Sequence, residues 1–399
     1  MFTGKTILIG VTGGIAAYKI PNLVSMLVKQ HADVHVILTK NAMEFIPPTP
    51  FESLTKNRCH VDTFNREFTT EVAHIALGKK ADAVLIAPAS ADIIGKLAHG
   101  IADDMLSTTV LACRCPMIIS PAMNTRMYEN PVVQDNMKTL QKYGWTVIGA
   151  ATGHLACGDD GAGKMPEPAE LYDYLEQAIA CEKDLAGKKV LVTAGPTQEA
   201  IDPVRYITNH SSGKMGYAIA KAASLRGAEV TLVSGPVALE TPRFVKTVHV
   251  VSAADMYEAV MQYAPEADIV IKAAAVADYT PETVADNKIK KKDGDMAIPL
   301  KRTRDILGTL GAMKHEGQFF CGFSMETENL IENSRAKLEK KNLDMVAANN
   351  VKVEGAGFQG DTNVLTLITH DGIRELPLMS KDQAAHELLS AIIQRIGDG

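Results

Sequence analysis

Six cysteines stand in 399 residues, and none forms a CxxC pair or a cysteine–histidine spacing suited to a metal. Their pattern excludes a structural zinc site, and a chain of this length needs no disulfide scaffold. No stretch approaches the ~18 consecutive apolar residues a membrane helix needs. Nor is there a basic excess: 41 Lys plus Arg against 47 Asp plus Glu give −6 with histidines neutral. That balance excludes a general nucleic-acid binder while leaving room for a local anion pocket. The opening MFTGKTILIG lacks the apolar core and cleavage site of a secretory leader. The expectation is a cytoplasmic protein with neither a membrane nor a nucleic-acid partner. What is present is ordinary globular composition, 22% charged and 46% hydrophobic, at a length of two or three domains.

Short β-branched runs alternate with helical patterns. Lys5–Val11, Asp33–Leu38, Ala83–Ala87 and Pro116–Ser120 read as buried parallel strands, with helices over Ile15–Gln30 and Asn130–Tyr143. The grammar restarts with Lys189–Thr193, Glu229–Val233, Asp268–Ile271, Phe319–Phe323 and Asp344–Ala348. This alternation predicts α/β architecture: two doubly wound, Rossmann-like parallel sheets with helices on both faces. The first is expected to be flavodoxin-like. The second carries an antiparallel edge, from Asn363–Thr369 and the turn His370-Asp371-Gly372. A boundary near Gly187, after the helical stretch Leu171–Asp184, gives domains 1–186 and 187–399. In such sheets ligands bind at the carboxyl ends of the strands, so the post-strand loops carry the chemistry.

Those loops exclude two common sites. Neither half has GxGxxG, which argues against a nicotinamide dehydrogenase. Gly158–Met165 nearly spells a phosphate loop, but Met165 stands where a magnesium-binding hydroxyl is required. The loop Thr12-Gly13-Gly14 lets backbone amides approach an anion at a helix start, or is a plain tight turn. Asn209–Gly216 (NHSSGKMG) opens a helix with hydroxyls and a glycine, as an anion site or an ordinary Ser N-cap. Lys288-Ile289-Lys290-Lys291-Lys292 near Asp278 reads as a solvated face or as an anion-plus-Mg²⁺ site. His74 before the third strand is structural or functional; Asn124 follows the fourth strand; Cys157 sits exposed among small neighbours, where a tuned thiol exchanges protons.

The runs Gly13–Lys19, Pro121–Asn124, Ala156–Gly158, Asp202–Ile207, Asn209–Gly216, Ala275–Tyr279 and Lys288–Lys291 together carry a resemblance over essentially the whole chain. The chain resembles the bifunctional phosphopantothenoylcysteine decarboxylase/phosphopantothenate–cysteine ligase family of coenzyme A biosynthesis. The resemblance implies an FMN-dependent decarboxylase in 1–186, acting on 4'-phosphopantothenoylcysteine, and a CTP-dependent ligase in 187–399. The ligase would join L-cysteine to 4'-phosphopantothenate through an acyl-cytidylate, with Mg²⁺ whose ligands are unassigned. Cys157, His74 and Asn124 fall on the decarboxylase site; Gly13, Gly14, Ile15, Ala16, Thr39 and Ser90 fall on the flavin loops, with Ser107 and Thr108 nearby. Asn209 and Lys288 fall on the ligase site as catalytic residues. CTP contacts fall on Ala273, Ala274, Asp278, Lys288, Arg304, Asp305, Ile306, Phe323, Lys337 and Lys341. The family's trimeric and dimeric contacts imply a homo-oligomer, a dodecamer. Three positions depart from the family pattern: Lys164 for arginine, Ser90 for threonine, and Thr303-Arg304-Asp305-Ile306 for Asn-Pro-Asp-Ile. A non-enzymatic flavodoxin-like carrier would need neither Cys157 nor the NHSSGKMG half.

Overall fold

The computed structural model describes residues 2–64, 72–154, 158, 160–291, 296–326, 329–350 and 360–397. The chain divides into two compact units, Met1–Cys181 and Glu182–Gly399.

In chain order the first unit contains β1 (Thr6–Val11), a 3-10 turn (Ile15–Lys19), α1 (Ile20–Lys29), β2 (Asp33–Leu38), α2 (Lys40–Met43), α3 (Thr49–Thr55) and α4 (Ala73–Lys80). It continues with β3 (Ala83–Ala89), α5 (Ala91–Ala98), α6 (Met105–Ala112), β4 (Met117–Pro121), α7 (Thr125–Tyr128) and α8 (Pro131–Lys142). β5 (Thr146–Val147), β6 (Ala151–His154), β7 (Asp160–Lys164) and α9 (Pro168–Ile179) complete it. The main sheet is parallel throughout, in the order β2-β1-β3-β4-β5. This is the flavodoxin-like order, whose reversal lies between β1 and β3.

Period-two alternation feeds two cores. Ile7, Ile9 and Val11 pack with α1, α3 and α9 on one face. Leu8, with Val84 and Ile86 of β3, packs with α5, α6 and α8 on the other. The helix expected over Ile15–Gln30 is divided, because Pro21 has no N–H to bond Ala17; the chain before it runs as a 3-10 turn.

The second unit contains β8 (Lys189–Ala194), β9 (Glu199–Ala200), β10 (Tyr206–Ile207), α10 (Lys214–Leu225), β11 (Glu229–Ser234), β12 (Lys246–His249), α11 (Ala253–Tyr263) and β13 (Ile269–Lys272). Then follow β14 (Tyr279–Pro281), β15 (Leu300–Arg302), α12 (Ile306–Met313), β16 (Phe319–Glu326), α13 (Leu330–Lys340) and β17 (Met345–Asn350). Last come β18 (Thr362–Asn363), β19 (Leu365–Thr369), β20 (Ile373–Glu375), β21 (Met379–Ser380) and α14 (Lys381–Gly397).

Its main sheet runs β12-β11-β8-β13-β16-β17-β19-β20. The first six strands are parallel in the doubly wound order, and β19 and β20 form the expected antiparallel edge. Its reversal lies between β8 and β13. Among the described residues no helix is long and apolar enough to cross a membrane.

The Ser N-cap reading of NHSSGKMG is corrected. α10 begins after Gly213, at φ +77°, with no side-chain cap. The helix lies so close to β8 that a Cβ on Gly216 would stand 2.5 Å from Ala194 Cβ and 2.9 Å from the Thr193 carbonyl. Gly216→Ala should therefore destabilise the C-terminal unit by about 1–3 kcal/mol, the cost of overpacking. Urea unfolding of the full chain followed by circular dichroism measures it; an unshifted transition contradicts the tight helix–strand contact.

Candidate functional sites

At the reversal of the first unit, a threonine ties the two neighbouring loops together. Buried Thr12, just past β1, donates from Oγ1 to the Pro88 carbonyl at 2.7 Å and accepts from the Ser90 amide at 2.9 Å. Gly13 packs against α2, where a Cβ would meet Asn41 Cβ at 2.6 Å. Gly14 is extended and starts the 3-10 turn without a side-chain cap; Ile15 and Tyr18 in that turn are exposed, and Ala16 is half-buried. Thr39 and Ser90 each cap the helix after their strand, accepting from the Ala42 and Ile93 amides. Ser107 is buried, its hydroxyl donating to Asp104 Oδ1 at 2.8 Å in a capping box, and Thr108 beside it is half-buried.

His74 lies in the first turn of α4, half-buried, with Nδ1 buried and without a hydrogen-bond partner among the described residues. An unpartnered buried imidazole nitrogen is costly unless a ligand completes it. The open backbone turn at Gly14, with exposed Ile15 and Tyr18 beside it, suits a flavin, and the His74 orphan on α4 suits a polar ligand group. Asn124 caps α7, its Oδ1 accepting from the Arg126 amide at 2.9 Å.

The glycine-rich segment that nearly spells a phosphate loop forms strand β7, paired antiparallel with β6. β7 docks on the Asn124 loop: the Met123 amide donates to the Gly163 carbonyl at 3.0 Å. Gly163, at φ +140°, approaches so closely that a Cβ would lie 2.3 Å from the Met123 carbonyl oxygen. Cys157 lies outside the described residues, between these two strands in sequence. Gly163→Ala should detach the hairpin and raise amide exchange at Met123; unchanged protection there contradicts the docking.

The second unit repeats the stitch. Thr193 Oγ1 accepts from the Ala274 amide at 3.1 Å, and Thr197 Oγ1 from the Ala277 amide at 3.0 Å. The Ala275 amide donates to the Gly195 carbonyl at 3.0 Å, and Asn209 Nδ2 to the Ala275 carbonyl at 2.6 Å. Thr303 Oγ1 donates to the Ala277 carbonyl at 2.7 Å.

Around these loops opens a cavity of about 740 Å³. It brings together Ala273, Ala274, Asp278, Arg304, Asp305, Ile306, Phe323, Lys337 and Lys341, and adds Lys214, Lys272, Arg302 and Lys381. The added residues include Lys272, whose position at a strand end gave no motif to read. Lys341 pairs with Asp305, and Lys337 Nζ donates to the Phe323 carbonyl at 2.7 Å. Arg304 pairs with Glu258 at 2.7 Å and stacks on Tyr257 of α11, so its guanidinium is already engaged. Asn209 and Lys288 are not among the lining residues, and Lys288 is exposed. No cluster of three or more His, Cys, Asp or Glu suited to a metal occurs among the described residues.

The lysine run is held by a clamp no sequence pattern announced. Asp202, its side chain fully buried, accepts from Arg205 and from the Ile289 amide at 3.0 Å, while Arg205 donates back to the Ile289 carbonyl at 3.0 Å. The Arg205 guanidinium, helped by the Ile289, Val204 and Arg205 amides against the cost of burial, holds the Asp202 carboxyl well below the usual carboxylate range. A depressed folded pKa means that the clamp's stabilisation is present above the unfolded value and lost only as pH falls through the folded one. Ile289 amide protection should thus hold from neutrality down to about pH 4. Asp202→Asn should lower it roughly tenfold or more at neutral pH; hydrogen exchange reads both, and an unaffected Ile289 in the variant refutes the clamp.

Two α/β units, each with its strand reversal stitched by buried threonines, make a chain of two doubly wound domains. The Flavoprotein family model matches residues 1–180, and that of the DNA/pantothenate metabolism flavoprotein C-terminal domain matches residues 185–396. The chain is 48% identical to the coenzyme A biosynthesis bifunctional protein CoaBC of Bacillus subtilis, covering 98% of this chain and 97% of that one. It is 47% identical to the Vibrio vulnificus protein of the same name, over 99% and 98%. The crystal structure of the C-terminal domain of a coenzyme A biosynthesis bifunctional protein CoaBC covers 55% of this chain and all of that one, at 47% identity and a TM-score of 0.47. The chain belongs to the CoaBC family of bifunctional coenzyme A biosynthesis proteins.

Proposed function

We propose that residues 1–186 decarboxylate 4'-phosphopantothenoylcysteine with FMN, and that residues 187–399 form that substrate from 4'-phosphopantothenate, L-cysteine and CTP. The observation that supports the reading is that one chain of this family holds two α/β units, each with its own strand reversal, the second opening a cavity lined by lysines. FMN, when bound, supplies the electron sink that lets a cysteinyl carboxylate leave as CO₂. His74 Nδ1 is suited to exchange a proton there, the Asn124 amide to hold the substrate, and the Cys157 thiol to deliver the final proton.

In the cavity of the second unit the cationic lining suits a triphosphate, and cytidylylation would activate the pantothenate carboxylate for attack by the cysteine amine. Mg²⁺ would be carried largely by the nucleotide phosphates, with Asp278 an exposed acid at the cavity. The clamp on Ile289 supports a role for Lys288 in neutralising phosphate charge. A cytoplasmic homo-oligomer, a dodecamer built from trimeric and dimeric contacts, completes the proposal.

The test follows CO₂ and pyrophosphate separately in single turnovers of the full chain supplied with 4'-phosphopantothenate, L-cysteine and CTP. Cys157→Ser should leave pyrophosphate release intact and let a decarboxylated enethiol accumulate. Lys288→Gln should keep decarboxylation of added 4'-phosphopantothenoylcysteine while pyrophosphate release falls by about 10²-fold. Loss of pyrophosphate release in a folded Cys157→Ser variant would falsify the two-site division, and a wild-type chain inert with CTP would refute the ligase assignment.

A further inference from the structure

Five lysines line the cavity of the C-terminal unit, and four are engaged. Lys337 donates to the Phe323 carbonyl, Lys341 pairs with Asp305, Lys214 pairs with Asp361 at 2.7 Å, and Lys381 donates to the Gly360 carbonyl. Lys272 differs: among the described residues its side chain makes no hydrogen bond and no ion pair. It ends β13 directly after buried Ile269, Val270 and Ile271, beside the strand reversal. Lys272 itself is half-buried at the cavity wall, so its unpartnered ammonium faces a space that a ligand can enter.

We propose that Lys272 is a nucleotide-contacting residue of the ligation site, its ammonium reserved for an anionic group of the bound nucleotide. This deepens the ligase reading and rests on it.

The surroundings of Lys272 define what binding must do. Burial and the neighbouring Lys337 ammonium on α13 push the Lys272 amine down to about 8, against the attraction of Asp305 at the start of α12 and Asp278 in the loop after β13. Asp305 offers only partial relief, because its carboxylate already serves Lys341 and the Gly308 amide. Near pH 8 the amine is therefore neutral in about half of the ligand-free molecules. An anion against it favours the charged form and draws in the missing proton. The sign follows: affinity is full below that pH and weakens as pH rises through it, and binding takes up protons from solvent.

Calorimetric titration of the full chain with CTP, repeated in buffers of different ionisation enthalpy, counts those protons. Uptake should be about half a proton at pH 8, rise towards one near pH 9, and fade towards neutrality. Lys272→Arg, which keeps a permanent charge, should bind CTP within about threefold of wild type while the uptake vanishes. Lys272→Met should lose the uptake and bind roughly 10-fold or more weakly. CTP binding without proton uptake in the wild-type chain, or uptake that persists in Lys272→Arg, overturns the assignment and leaves the ligase reading standing. A wild-type chain that binds no CTP removes both.

Discussion

Where a parallel sheet reverses its winding, the helices leaving two adjacent strands depart to opposite faces, and the carboxyl ends of those strands are left uncovered. The backbone amides and carbonyls there still require partners, because buried unpaired groups are costly. Both units meet the requirement in the same way. Thr12 reaches from the end of β1 to the Pro88 carbonyl and the Ser90 amide, and Thr193 and Thr197 reach from β8 and its loop to the Ala274 and Ala277 amides. All three threonines are almost wholly buried. A short hydroxyl both donates and accepts, so it closes the floor of the crevice without filling the space above it. The remaining loop geometry hangs from these stitches: Gly13 against Asn41, Gly14 at the turn, Asn209 on the Ala275 carbonyl.

The framework was legible because its signals are periodic. Buried runs such as Thr6–Val11 and Glu229–Ser234 appear at the positions their β-branched composition predicts, and the hairpin at His370-Asp371-Gly372 gives the antiparallel edge. What escaped the sequence depended on contacts between distant residues. β6 and β7 contain Gly153, Gly161 and Gly163, whose lack of side chains erases the alternation by which a strand is read. Gly161 and Gly163 leave room for Thr125 at the start of α7 and for the Met123 carbonyl before it. The start of α10 looked like a serine cap, yet Gly213 supplies the left-handed turn instead. In the cavity of the C-terminal unit, Asp278, Phe323, Lys337 and Lys341 are residues that the family resemblance pointed to. It did not point to Lys272, since one lysine at a strand end has no motif and acquires meaning only from the cavity around it.

Each polar side chain of the Thr303-Arg304-Asp305-Ile306 loop is committed to a neighbour. Thr303 ties the loop by its hydroxyl to the Ala277 carbonyl and by its amide to the Asp278 carbonyl. Asp305 caps α12 through the Gly308 amide. Between them, Arg304 turns its guanidinium towards Tyr257 and Glu258. Arg304, which also lines the cavity, therefore brings a charge that is already paired.

The same pairing logic governs the rest of the cavity. A polyanion site needs cations, yet unpaired cations crowded into one pocket repel one another and destabilise the fold. Here Lys341 is balanced by Asp305 and Lys214 by Asp361, each an exchangeable counter-charge from a loop or helix start. A phosphate entering the pocket must displace or share those carboxylates, so the net gain per contact is less than a bare lysine would give. The compensation is order, because a paired side chain has already lost much of the rotamer freedom that binding would remove. Such an arrangement trades part of the attainable affinity for geometry. The Asp202–Arg205 clamp makes the complementary choice: its charges are spent on holding the backbone of Ile289, leaving Lys288 beside it exposed and without a fixed carboxylate partner among the described residues.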